Sequence, residues 1–184
     1  MKKVLVYLYN ILFLRISSLF INLYIYLKYS KEERLKAKKD TKFILKNIDN
    51  GDVTAENVFS IFNYVSDPVI NKKFTMNFIP FFIIFLLQKG SDCSGGARIF
   101  KMLKEREILN KNGKLYLIMD KFNIATSHVF YMWYDKGYFN VFNSFEVQSF
   151  TTKEECFFYI KNSKYIGNDG IEFDFQNGTI YRWF

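Results

Sequence analysis

Residues 127–143 read Ser-His-Val-Phe-Tyr-Met-Trp-Tyr-Asp-Lys-Gly-Tyr-Phe-Asn-Val-Phe-Asn, and the fold turns on this stretch. Its β-branched and aromatic residues favour extended backbone, and Asp135-Lys136-Gly137 interrupts them with turn chemistry. Two antiparallel strands are expected, Ser127–Tyr134 and Tyr138–Phe142, joined by a tight hairpin. A hairpin sets the start of one strand beside the end of its partner. His128, the only histidine of the chain, is therefore expected beside Asn143, which follows it by 15 residues. Tyr131, Trp133 and Phe139 alternate along the hairpin and belong to the expected core.

Working outward, Lys114–Met119 forms a further candidate strand after a turn at Asn110–Gly113. Thr151–Ser163 reads as a helix, with Thr151 or Thr152 as its cap and Glu154 and Glu155 in the first turn. Ile171–Phe175 and Thr179–Trp183, around Gln176-Asn177-Gly178, suggest a terminal hairpin. On the N-terminal side, Lys31–Ile48 is a charged helix closed by Asp49-Asn50-Gly51-Asp52. A short helix from Thr54 to Val65, a break at Ser66-Asp67-Pro68 and an apolar core helix at Phe78–Leu87 follow. Helices first and an antiparallel sheet afterwards define an α+β fold.

The second informative stretch is Gly90–Arg98, Gly-Ser-Asp-Cys-Ser-Gly-Gly-Ala-Arg, just before a helix-like run at Ala97–Glu107. A helix N-terminus carries partial positive charge and unpaired N–H groups, which lower a cysteine pKa and can bind an oxyanion. Cys93 lies there, 35 residues before His128. A thiol nucleophile needs a base, and an amide or carboxylate behind the imidazole holds the productive tautomer. Cys93, His128 and Asn143 are the residues that fit these roles. The Cys93 backbone N–H is the first candidate oxyanion donor. Asp92 would raise the thiol pKa by its charge, so it is assigned no catalytic role. Cys156, in the apolar run Glu-Glu-Cys-Phe-Phe-Tyr-Ile, is expected in the core as a small hydrophobe. Two cysteines in such unlike settings indicate neither a disulfide framework nor a metal site, and no cofactor motif is present.

Taken together, Gly-Ser-Asp-Cys-Ser-Gly-Gly-Ala and the His128–Asn143 hairpin resemble the core of the transglutaminase-like superfamily, a branch of the papain-like cysteine enzymes. The resemblance covers about Phe78 to Ser144. It implies a papain-like core with the nucleophile Cys93 at a helix N-terminus, His128 as base and Asn143 as orienting residue. Asn143 departs from the Asp more usual in that family, although papain-like enzymes accept Asn. The resemblance also implies Gln88 as a second oxyanion donor. The implied activity is that of a cysteine peptidase, amidase or acyltransferase working on a peptide or protein substrate through a thioester. Asp-Cys-Ser-Gly is similar as well to papain-like cell-wall endopeptidases, where Asn140 would fill the polar slot after the histidine. A non-enzymatic, membrane-tethered binding module of the same fold is the alternative from another class.

Of the 184 residues, 49% are hydrophobic and 20% aromatic, ample for one large core and against global disorder. The net charge of +8 gathers in part between Lys28 and Lys42, which hold seven basic residues against Glu32, Glu33 and Asp40. The preceding segment, Val4–Leu27, is apolar but interrupted, with Arg15, Ser18 and Asn22 on one helical face. Arg15 makes a bilayer span marginal, at a cost of roughly 2.5–3.5 kcal/mol. Residues 1–42 are thus read as a hydrophobic then basic N-terminal extension with three outcomes open, a marginal membrane anchor, a helix lying on an anionic membrane surface or a helix packed on the domain, of which membrane association is favoured, and 43–184 as the catalytic domain. Nucleic acid is the weaker partner, because no zinc-finger spacing or RNA-binding aromatic motif accompanies the charge. The expected location is cytoplasmic, with membrane association through the extension.

Overall fold

The computed structural model describes residues 23, 26–61, 93–109, 112–119, 127–143, 146–166 and 172–183. Within them the elements run α1 (Lys31–Asp49), α2 (Ala55–Ile61), α3 (Cys93–Glu107), β1 (Lys114–Met119), β2 (Ser127–Asp135), β3 (Tyr138–Asn143), β4 (Glu146–Phe150), α4 (Lys153–Asn162), β5 (Tyr165–Ile166), β6 (Glu172–Phe173) and β7 (Thr179–Trp183). Five strands form one sheet in the order β4-β3-β2-β1-β7, antiparallel throughout. The α+β class is therefore observed.

The central hairpin forms as its sequence dictates. Tyr131 pairs with Phe142 and Asp135 with Tyr138, which leaves Lys136-Gly137 as a two-residue loop. Both loop residues have positive φ, 50° and 88°, as the turn matching the right-handed twist of its strands requires. β2 is buried continuously from His128 to Trp133, because the sheet is covered on both faces.

Alternation along the strands sends their side chains into two separate cores. Leu117, Tyr131, Trp133 and Phe142 meet Ile99, Phe100 and Leu103 of α3, with α1 and α2 packed behind. Phe100 stacks on Phe142 at 4.0 Å. On the opposite face Tyr116, Ile118, Phe130, Met132 and Val141 meet Cys156 and Ile160 of α4, together with Tyr165 and Phe175. Tyr131 and Trp133 lie in the first core and Phe139 packs against the second.

α1 is capped by Ser30, whose hydroxyl accepts from the Glu33 N–H while the Glu33 carboxylate accepts from the Ser30 N–H. It buries Ala37, Thr41, Ile44 and Ile48, spaced so as to fall on one face, and it runs unbroken through residue 42. Arg106 of α3 donates to Asp49 at 2.9 and 3.0 Å, tying the end of α1 to the domain.

Two expectations are corrected. Ile171–Phe175 and Thr179–Trp183 do not form a hairpin with each other: β6 pairs with β5, and β7 with β1. The turn between them does close, Gly178 N–H donating to Phe175 C=O at 2.8 Å. Phe175 and Trp183, however, are claimed by opposite cores, and this pulls the two arms apart. Strand β4, which pairs with β3, extends the sheet beyond the expected strands; its alternation is mostly exposed and gives little apolar signal. The run expected to begin at Ala97 begins at Cys93. Among the described residues no helix is long and apolar enough to cross a membrane. Most of Val4–Leu27, the stretch beyond Ile61 and the Phe78–Leu87 run lie outside the described residues.

Candidate catalytic site

The register of the hairpin explains how His128 meets Asn143. Continuing the pairing past Tyr131 and Phe142 sets Asn143 opposite Phe130, so His128 and Asn143 are diagonal neighbours on the α4 face of the sheet. His128 Nε2 lies 2.8 Å from Asn143 Oδ1. Both residues are buried, at 7% and 4% exposure, so this bond is sheltered from water.

Tyr165 completes the arrangement. Its ring packs on the imidazole with centroids 4.2 Å apart, and its hydroxyl donates to the Ile160 carbonyl at 3.0 Å. An amide oxygen only accepts, so with Asn143 Oδ1 facing it Nε2 of His128 carries the hydrogen and Nδ1 keeps its lone pair. The buried bond to Asn143 thereby holds the base-competent tautomer.

Burial sets the electrostatics. It lowers the His128 pKa from 6.5 to about 4, and the bond to Asn143, which favours the protonated ring, offsets this only in part. The imidazole is neutral at pH 7. Burial likewise pushes the Tyr165 phenol well above its usual range.

Cys93 is the first residue of α3 and is half-buried against the core on that helix's side of the sheet. Gly95, Gly96 and Ala97, all buried, carry almost no side chain, so the first turn of α3 sits deep in the fold. Tyr165 covers His128, and His128 is bonded to Asn143 on the α4 face, whereas Cys93 packs against the core on the α3 face.

The other expected site residues fall elsewhere. Gln88 and Asp92 lie outside the described residues. Asn140 sits near the hairpin turn on the α3 side of β3, where its amide donates to Tyr138 C=O at 3.2 Å and accepts from Ser149 Oγ at 2.6 Å. It braces β3 against β4 and is not a neighbour of His128. Cys156 is buried under β3, its thiol pushed up to about 11 by burial. Among the described residues no group of three or more His, Cys, Asp or Glu side chains could hold a metal ion. Tyr165 escaped sequence reasoning altogether, since a lone tyrosine after a helix has no spacing rule that points to a site 37 residues earlier. Compared with family models, with curated proteins and with solved structures, the chain matches none.

Proposed function

We propose that the chain is a cysteine-nucleophile enzyme acting on amide bonds, with a transglutaminase-like, papain-like core in which Cys93 attacks, His128 is the base and Asn143 orients it. The observation that carries this reading is the buried bond from His128 Nε2 to Asn143 Oδ1 at 2.8 Å, which leaves Nδ1 as the proton acceptor. Cys93 Sγ bonds to the substrate carbonyl carbon as its proton passes to Nδ1. The C–N bond then breaks, and the same proton leaves with the amine. The thioester that remains is cleaved by water, giving hydrolysis, or by a second amine, giving acyl transfer. The Cys93 N–H at the start of α3 and the Gln88 side chain are the donors assigned to the oxyanion. A buried neutral imidazole does not sustain a resting thiolate–imidazolium pair, so proton transfer accompanies attack.

A second reading rests on the same burial. His128 packs against the Tyr165 and Phe175 rings and is almost closed to solvent, as a structural histidine in a binding module would be. An activity-based probe for thiol amidases separates the two. The enzyme reading expects labelling at Cys93 that is lost in His128→Ala; equal labelling of both proteins, or none of wild type, supports the binding module.

A further inference from the structure

We infer that the outward face of α1 is a docking surface for an anionic phospholipid bilayer. The inference is independent of whether Cys93 is a nucleophile. The inward face is fixed by its buried residues: Ala37, Thr41, Ile44 and Ile48 point into the domain. At 3.6 residues per turn the opposite arc must carry Lys39, Lys42 and Lys46, flanked by Lys36, and all four are exposed. Between them stand two large apolar side chains that the fold leaves in solvent, Leu35 at 58% and Phe43 at 65% exposure.

Of the four acids of α1, Glu33 is engaged in the capping box and Asp49 is paired with Arg106, while Glu32 stands on the arc one turn before Lys36 and Asp40 lies beside it. The arc therefore sets four lysines against Glu32 and keeps a positive excess. Arg34 lies off the arc, its guanidinium donating to the carbonyls of Tyr26 and Tyr29 at 2.7 and 2.6 Å. The result is a lysine-rich face about 28 Å long, at ~1.5 Å per residue over 19 residues. Its docking on α3 holds it facing away from the domain.

Charge complementarity selects an anionic partner, and the apolar side chains select a bilayer. Lysines attract anionic headgroups, while Leu35 and Phe43 among them can enter the headgroup boundary. A nucleic acid backbone would leave both apolar side chains unused, and the arc holds no arginine to form bidentate phosphate contacts.

The test is flotation of the full chain with phosphatidylcholine vesicles, with and without 30 mol% phosphatidylserine. Wild type is expected to float with the anionic vesicles and to be released as salt rises. Lys36→Gln, Lys39→Gln and Lys42→Gln together should lower the affinity about 100-fold, from three surface lysines. Leu35→Ala with Phe43→Ala should lower it roughly tenfold or more. The exposed positions leave the melting transition in place, and Cys93→Ala should bind as wild type does. Triple-variant binding equal to wild type, equal binding to neutral vesicles, or salt-sensitive binding to an oligonucleotide with none to vesicles would each overturn the proposal.

Discussion

On one face of the sheet Phe100 stacks against Phe142 at 4.0 Å, and Tyr131 against Trp133 at 5.2 Å. On the other, the rings of Tyr165 and Phe175 enclose a histidine whose nitrogen is committed to an amide. Aromatic residues build both, yet the first face uses them as volume and the second uses them to exclude water from a hydrogen-bonded pair. Even the first face's phenol illustrates the contrast. Among the described residues the Tyr131 hydroxyl is buried without a hydrogen-bond partner, whereas the Tyr165 hydroxyl donates to Ile160. Specificity of position on the first face comes from shape. On the second it comes from donors and acceptors, which impose one orientation on each group.

The comparison can be broken most forcefully at Phe100. Phe100→Ala should cost about 3–5 kcal/mol, measured by denaturant unfolding, since the fully buried ring packs on Phe59, Trp133 and Phe142 and its removal leaves a void among them. A loss below about 1 kcal/mol would mean that this face is not the principal core.

Acid probes the second face. The folded pKa of His128, about 4, lies below its ordinary 6.5, so the unfolded chain binds the extra proton first. Stability from this group is fully present above pH 6.5 and is lost as pH falls toward 4, on the order of 3 kcal/mol in all. The wild-type stability curve minus that of His128→Gln should slope upward through this window. A flat difference curve would show that the imidazole is not buried neutral.

Tyr165→Phe keeps the ring against His128 but removes the hydroxyl that donates to the Ile160 carbonyl. A loss of about 1–3 kcal/mol is expected, measured by denaturant unfolding, with the His128 ring ¹⁵N shifts unchanged; a loss below about 0.5 kcal/mol would show that this buried bond does not stabilise the second face. The smallest effect is expected at the turn. Gly137 has φ of 88°, so Gly137→Ala should cost about 1 kcal/mol through backbone strain alone, with no change in the shifts of His128.

These particulars also show what sequence can carry. The His128–Asn143 contact was legible because a two-residue turn with a fixed register converts spacing into proximity. The helix at Thr151–Ser163 was legible because its capping box is written locally, and Thr152 and Glu155 form it. Helix α3 was placed four residues late, because Gly95 and Gly96 are weak helix formers that only burial against the sheet holds in helical geometry. The last hairpin failed for a similar reason: its turn is local, but the destinations of Phe175 and Trp183 are decided by two cores that form elsewhere. Tyr165 was out of reach because its role depends on its ring meeting His128 across the fold, which no periodicity records.

The central claim is that His128 activates Cys93. Its most direct test is the rate of iodoacetamide alkylation at Cys93, read by mass spectrometry between pH 5 and 9, in wild type and His128→Ala. Buried Cys156 serves as the internal reference. The account predicts that wild-type Cys93 reacts at least tenfold faster than a free thiol at pH 7 and that His128→Ala removes the advantage. Cys93 reacting no faster than a free thiol, or equally fast in both proteins, would contradict it.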